Sequence, residues 1–140
     1  MANKKKLVFV VEDNLVQQKQ LQVHFEEILG DYDVRLFATP DELMKNLEFR
    51  PYAIVLDHFF EGQKKTGLDY LADVRRMHKG LPVIYHTTLD DDEVKKKVMD
   101  MGAEMYIVKD SASMVRLRAV LDNIKERESK RGFLGKLFGR

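Results

Sequence analysis

The chain has 140 residues, with 24 basic and 23 acidic side chains, a formal net charge of +1 and no cysteine. That length holds one domain with a proper core, and the absence of thiols excludes disulfides and thiolate metal sites. No apolar stretch approaches a membrane span, and Lys4-Lys5-Lys6 leads straight into an apolar run with no signal-type cleavage pattern, so a cytoplasmic protein is expected.

The first apolar run, Leu7 to Val11, predicts a strand over about 7–11 and ends in Glu12-Asp13. Asn14 can cap a helix carrying Leu21, Phe25 and Ile28 at helical spacing, with Gly30 as its stop. A second strand is expected over about 33–37. Thr39-Pro40-Asp41-Glu42 then supplies an N-cap, a proline for the first turn and two acids suited to a helix start. The run 53–57 predicts a third strand and ends in Asp57. A helix follows Gly67, with Leu68, Leu71 and Val74 on its apolar face, and stops near His78-Lys79-Gly80.

The fourth strand, about 82–86, leads into Thr87. Asp90-Asp91-Asp92-Glu93 opens a helix that Gly102 closes. The fifth strand, about 105–108, ends at Lys109. Ser111 or Ser113 opens the last helix, striped by Met114, Leu117, Leu121 and Ile124. Met99, Met101 and Met105 read as core filler, and Lys95-Lys96-Lys97 as a solvated face. The histidines His24, His58, His78 and His86 show no ligand spacing and read as packing or surface residues.

Short apolar strands alternating with helices predict a parallel sheet covered on both faces through right-handed crossovers. Ligands of such sheets bind beyond the carboxyl ends of the strands. Glu12, Asp13, Asp57, Thr87 and Lys109 all fall at that edge. Three carboxylates close together need protons or a cation to offset them. An oxygen-only donor set suits magnesium, which accepts few protein ligands and keeps water. A carboxylate nucleophile, a hard cation, a lysine and a hydroxyl together suit phosphoryl transfer.

Over about residues 6–126 the chain resembles the receiver domain of bacterial two-component response regulators, the single-domain chemotaxis type in particular. The motifs that carry the resemblance are Val10-Val11-Glu12-Asp13-Asn14, Ile54-Val55-Leu56-Asp57, Gly67-Leu68-Asp69-Tyr70-Leu71, Pro82 to Thr87 and Gly102 to Lys109. It implies a flavodoxin-like doubly wound five-stranded parallel sheet of order 2-1-3-4-5 with five helices. It implies Asp57 as phosphoacceptor, with Thr87 and Lys109 contacting phosphoryl oxygens and Tyr106 as an aromatic switch. Asp13 and Asp57 would ligate magnesium, with Glu12 assisting through water and the Phe59 backbone carbonyl completing the set.

The implied function is a phosphorelay switch with slow self-catalysed phosphorylation and hydrolysis. It would be charged by a sensor histidine kinase or phosphotransfer protein and would signal to a downstream protein, or pair with a second copy, through helix 4, strand 5 and helix 5. A receiver-like interaction module needing no phosphate is the alternative. A small phosphohydrolase is disfavoured because no separate carboxylate is placed as general acid.

Three features depart from the family pattern. The connection from His58 to Thr66 is longer than usual and lacks proline. Thr88 stands where alanine or glycine is usual and is expected to restrict access to Asp57. Asp110 replaces the proline after the lysine; because a cis bond before a non-proline residue costs roughly 2.5–4 kcal/mol, a trans Lys109–Asp110 bond or an altered loop is expected.

A domain over 1–128 and a basic amphipathic tail over 129–140 are therefore expected. The tail holds four cations and no acid, which leaves the rest of the chain at −3 and gives no reason to expect nucleic-acid binding. As a helix it would gather Phe133, Leu134, Leu137 and Phe138 on one face. That face suits either docking on the domain, a partner or a second subunit, or peripheral contact with the inner membrane face.

Overall fold

The computed structural model describes residues 5–28 and 30–138. Its five strands are β1 (Lys6–Val11), β2 (Tyr32–Phe37), β3 (Ala53–Leu56), β4 (Val83–Thr87) and β5 (Met105–Val108). Its helices are α1 (Leu15–Ile28), α2 (Pro40–Lys45), α3 (Gly67–Met77), α4 (Asp92–Asp100) and α5 (Ser113–Leu137), with a 3-10 turn at Leu47–Phe49. All strand pairs are parallel and the order is β2-β1-β3-β4-β5, as expected.

The two sheet faces bury separate cores. Phe9, Ile54, Leu56 and Tyr85 pack with Leu43, Leu71, Val74 and Val98 under α2, α3 and α4. Val8, Val10, Val55 and Ile84 pack with Phe25, Leu117, Leu121 and Ile124 under α1 and α5. The central strands are therefore buried on both sides and read as continuous apolar runs. β2, at the edge, alternates instead.

Helix starts follow local chemistry. The Asn14 side chain accepts from Gln17 N–H at 3.0 Å and the Thr39 hydroxyl from Glu42 N–H at 3.2 Å. The Asp91 carboxylate accepts from Val94 N–H at 3.0 Å. Each satisfies one orphan donor of a first turn.

α5 departs from expectation. Ser111 and Ser113 supply no cap. Ala112 stands at the N-cap without a side-chain bond to the first turn, and Asp110 instead shapes the turn before the helix, its carboxylate accepting from Ala112 N–H at 2.8 Å and pairing with Arg116 at 2.9 Å. Ser113 instead donates to the Asp110 carbonyl at 3.0 Å. Among the described residues every peptide bond is trans, Lys109–Asp110 included. The loop thus closes through the Asp110 carboxylate, the Arg116 guanidinium and the Ser113 hydroxyl.

A further expectation is corrected. Met99 and Met105 are exposed rather than core filler, because α4 turns only Val98 fully inward and β5 is a sheet edge. His58 and His86 are buried, the packing alternative of the expectation for them. The helix α5 runs without a break through residue 129, although its last buried residue is Ile124. Gly139 and Arg140 of the expected tail lie outside the described residues.

Candidate functional site

Parallel register brings the strand ends level. Val10 pairs with Val55, Leu56 with Tyr85, and Thr87 with Val108. The residue following each strand then emerges at one edge: Glu12 after β1, Asp57 after β3 and Lys109 after β5, with Thr87 closing β4.

Asp57 is held at both oxygens. Lys109 Nζ lies 2.8 Å from its Oδ2, and His58 N–H donates to Oδ1 at 2.6 Å. Both partners of the ion pair keep about a quarter of their side-chain surface open, 28% for Lys109 and 23% for Asp57. The carboxylate is oriented and still reachable. Lys109 N–H also donates to the Thr87 carbonyl at 2.8 Å, fixing the β5 end against β4.

The acidic arm comes from β1. Glu12 N–H donates to the Phe37 carbonyl at 2.9 Å, and Gln18 Nε2 donates to the Glu12 carbonyl at 2.6 Å. Burial pushes the Glu12 carboxyl up from its ordinary range, and Asp13 adds to the rise; the Asn14 N–H and Lys109 oppose it. Asp13 is exposed and accepts from Glu61 N–H at 3.3 Å, which ties the loop after Asp57 to the acidic arm.

That loop, 58–66, is anchored along its length. The buried Phe60 ring meets Tyr70 edge-on at 5.6 Å, and Gln63 N–H turns back to the Phe60 carbonyl at 3.1 Å. Gly62 takes a positive φ of 73°, which the turn requires of a residue without Cβ. The Phe59 side chain is exposed, its ring edge-on to His58 at 4.6 Å.

Thr87 is fully buried. Its hydroxyl accepts from Leu89 N–H at 3.2 Å, while the Tyr106 hydroxyl donates to the Leu89 carbonyl. Both residues therefore grip the two sides of Leu89. Tyr106 faces inward, 6% exposed, and its ring stacks on Tyr85 at 5.4 Å and 17°.

Two buried hydrogen bonds support the site, and the sequence reading missed both. His58 Nδ1 and the Tyr85 hydroxyl lie 2.7 Å apart; His86 Nε2 and the Ser113 hydroxyl lie 3.0 Å apart. Burial lowers the pKa of His58, against the pull of Asp57, and brings that of His86 down to about 4. The only signal was adjacency to Asp57 and Thr87. A strand buried on both faces has no alternation to show which way His86 points.

The donor set fits a hard cation chemically, being carboxylates with an open side to water. Among the described residues no three Asp, Glu, His or Cys side chains close into a metal cage. A cavity of about 230 Å3 borders Asp57 and Lys109 and is walled by Gln17 and Gln20 of α1 and Met114 of α5. The tail residues Phe133, Leu134, Leu137 and Phe138 are not part of this site.

The chain matches the model of the response regulator receiver domain over residues 8–122. No curated protein matches it. Among solved structures it is similar to a CheY-like response regulator receiver domain protein from Methanospirillum hungatei JF-1, with 20% identity, a TM-score of 0.76 and coverage of 91% of this chain and 99% of that one. It is also similar to DrrB, an OmpR/PhoB homolog from Thermotoga maritima, with 24% identity, a TM-score of 0.73 and coverage of 89% of this chain but 54% of that one. The chain thus spans about half of DrrB. A third likeness is to a CheX-CheY-BeF3-Mg+2 complex from Borrelia burgdorferi, with 21% identity, a TM-score of 0.72 and coverage of 85% and 88%. At these identities the structural likeness shows the fold.

Proposed function

Because the chain belongs to the response regulator receiver family, we propose that it is a phosphoacceptor switch in which Asp57 takes a phosphoryl group from a phosphohistidine. The donor is a sensor histidine kinase or phosphotransfer protein. The observation that carries this reading is the 2.8 Å ion pair from Lys109 to Asp57, at a sheet edge shared with Thr87.

One Asp57 oxygen forms the new P–O bond while the P–N bond to the donor imidazole breaks, and the imidazole keeps the electron pair. Lys109 and the His58 N–H preorient the carboxylate for that attack. Lys109 then shifts its ammonium to a phosphoryl oxygen, where charge has to be offset. Glu12, Asp13, Asp57 and the Phe59 backbone carbonyl would hold magnesium, which when bound would neutralise charge on the phosphoryl oxygens. Slow self-phosphorylation from small phosphodonors and slow hydrolysis belong to the same proposal.

Output runs through Leu89. The Thr87 hydroxyl turns to donate to a phosphoryl oxygen and leaves the Leu89 N–H. Tyr106, bonded to the Leu89 carbonyl, feels the turn move. The readout surface is α4, β5 and α5, where the exposed Met99 and Met105 offer apolar area to a downstream protein or a second copy.

Incubation with acetyl phosphate and magnesium, read by intact mass, tests this. The parent should gain one phosphoryl group and Asp57→Asn none. Equal labelling of both proteins overturns the assignment of Asp57. No labelling of either overturns the phosphoacceptor reading in favour of a module that needs no phosphate.

A further inference from the structure

α5 starts at the site and ends at the opposite pole of the domain. Ser113 bonds His86, beside Thr87. Further along, the Leu121 carbonyl accepts from the hydroxyl of Tyr52, which precedes β3, and Arg127 holds Glu104, which precedes β5, at 2.7 Å. The helix therefore emerges past the amino ends of the strands and runs on from Ile124, its last buried residue, to Leu137. The continuation is about 20 Å long at 1.5 Å per residue.

On it four large apolar side chains face solvent: Phe133 at 65%, Leu134 at 49%, Leu137 at 62% and Phe138 at 71% exposure. At 100° per residue they span an arc of about 140°. Arg131 lies about 20° outside one edge of the arc and Lys136 about 60° outside the other, while Lys130 falls in line with the arc about one turn before Phe133. Gly132 and Gly135 fall on the far side. Residues 129–140 hold four cations and no acid.

We propose that this extension is an interfacial helix that docks on an anionic lipid bilayer, with the Asp57 edge held away from the surface. Large apolar groups flanked by cations match a surface that is apolar inside and negative outside. A second copy matches it poorly, because both flanks of the arc would meet like charge. No helix among the described residues is long and apolar enough to cross a membrane, so the extension would lie in the interface rather than span. Because the helix leaves from the pole opposite Asp57, a bound molecule keeps its phosphoacceptor open to water.

Co-sedimentation with vesicles of equal parts phosphatidylglycerol and phosphatidylcholine tests the proposal. The full chain should bind these vesicles, bind pure phosphatidylcholine far less, and release as salt is raised. Leu137→Glu removes one apolar anchor and adds an anion, so its binding should fall at least about tenfold. Leu137 makes no core contact, so the variant should keep the parent's circular dichroism and unfolding midpoint. Equal sedimentation of parent and variant overturns the proposal, as does no vesicle binding by the parent. A concentration-dependent dimer abolished by Leu137→Glu, without vesicle binding, overturns it in favour of a second copy.

Discussion

Gly67 is where a single atom would do most harm. Its N–H donates to the His58 carbonyl at 2.8 Å, and a Cβ there would overlap the Asp57 carbonyl oxygen and the Tyr85 hydroxyl. The close approach seats α3 directly against the Asp57 backbone and the Tyr85 ring. Gly67→Ala must push on backbone rather than on a flexible side-chain end. We expect it to cost about 1–3 kcal/mol, as overpacking does, and to slow acetyl-phosphate labelling by displacing Asp57. Urea unfolding and labelling rates check the two effects separately. A variant with the parent's midpoint would show that α3 yields freely. Residue-level legibility was uneven here. Gly67 read as a helix start, while its contact with Tyr85 depends on a strand more than fifteen positions away.

The element with least precedent in the family pattern is the loop 58–66. Although long, it is held by three attachments: Glu61 to Asp13, Phe60 on Tyr70, and Lys65 to Asp73 at 2.8 Å. Of these, Phe60 buries the most apolar surface. Phe60→Ala typically falls in a class costing 3–5 kcal/mol; a loop that relaxes around the gap should keep the loss near about 3 kcal/mol. The Glu61–Asp13 contact should loosen with it. Denaturant titration measures the first effect, and the magnesium concentration for half-maximal labelling measures the second. An unchanged magnesium requirement would show that the loop does not order the acidic arm. The strand-end carboxylates were readable because alternating strands and helices build a parallel sheet, which brings the carboxyl ends of its strands to one edge. The path of this loop was not, since a buried aromatic within a polar run gives no periodic signal. The α5 extension was half readable: its apolar arc followed from spacing, whereas its continuity with α5 depends on the docked turns N-terminal to Gly132 and Gly135 supplying the nucleus.

At the scale of the whole molecule, the sheet divides the protein into two cores, and His86 places a titratable ring on the α1 and α5 side of the division. It packs against Ser113 of α5, so the ring couples β4 to the longest helix. Burial is the main reason its pKa falls to about 4; Lys109 and Arg116 reinforce the fall, while Asp57 and Asp110 oppose it. The sign follows from linkage. Above the ordinary value of 6.5 the ring is neutral folded or unfolded and contributes no pH dependence. As pH drops from 6.5 toward 4, the unfolded chain binds a proton that the folded chain refuses, so stability is lost across that window and levels off below it. A gap of that size corresponds to about 3 kcal/mol at full development. Urea unfolding at pH 7.5 and at pH 4.5, for the parent and for His86→Gln, isolates the effect because the carboxylates titrate in both. The parent should lose about 2–3 kcal/mol more than the variant on acidification. Identical losses would mean that the folded protein admits the proton, and with it water, between β4 and α5.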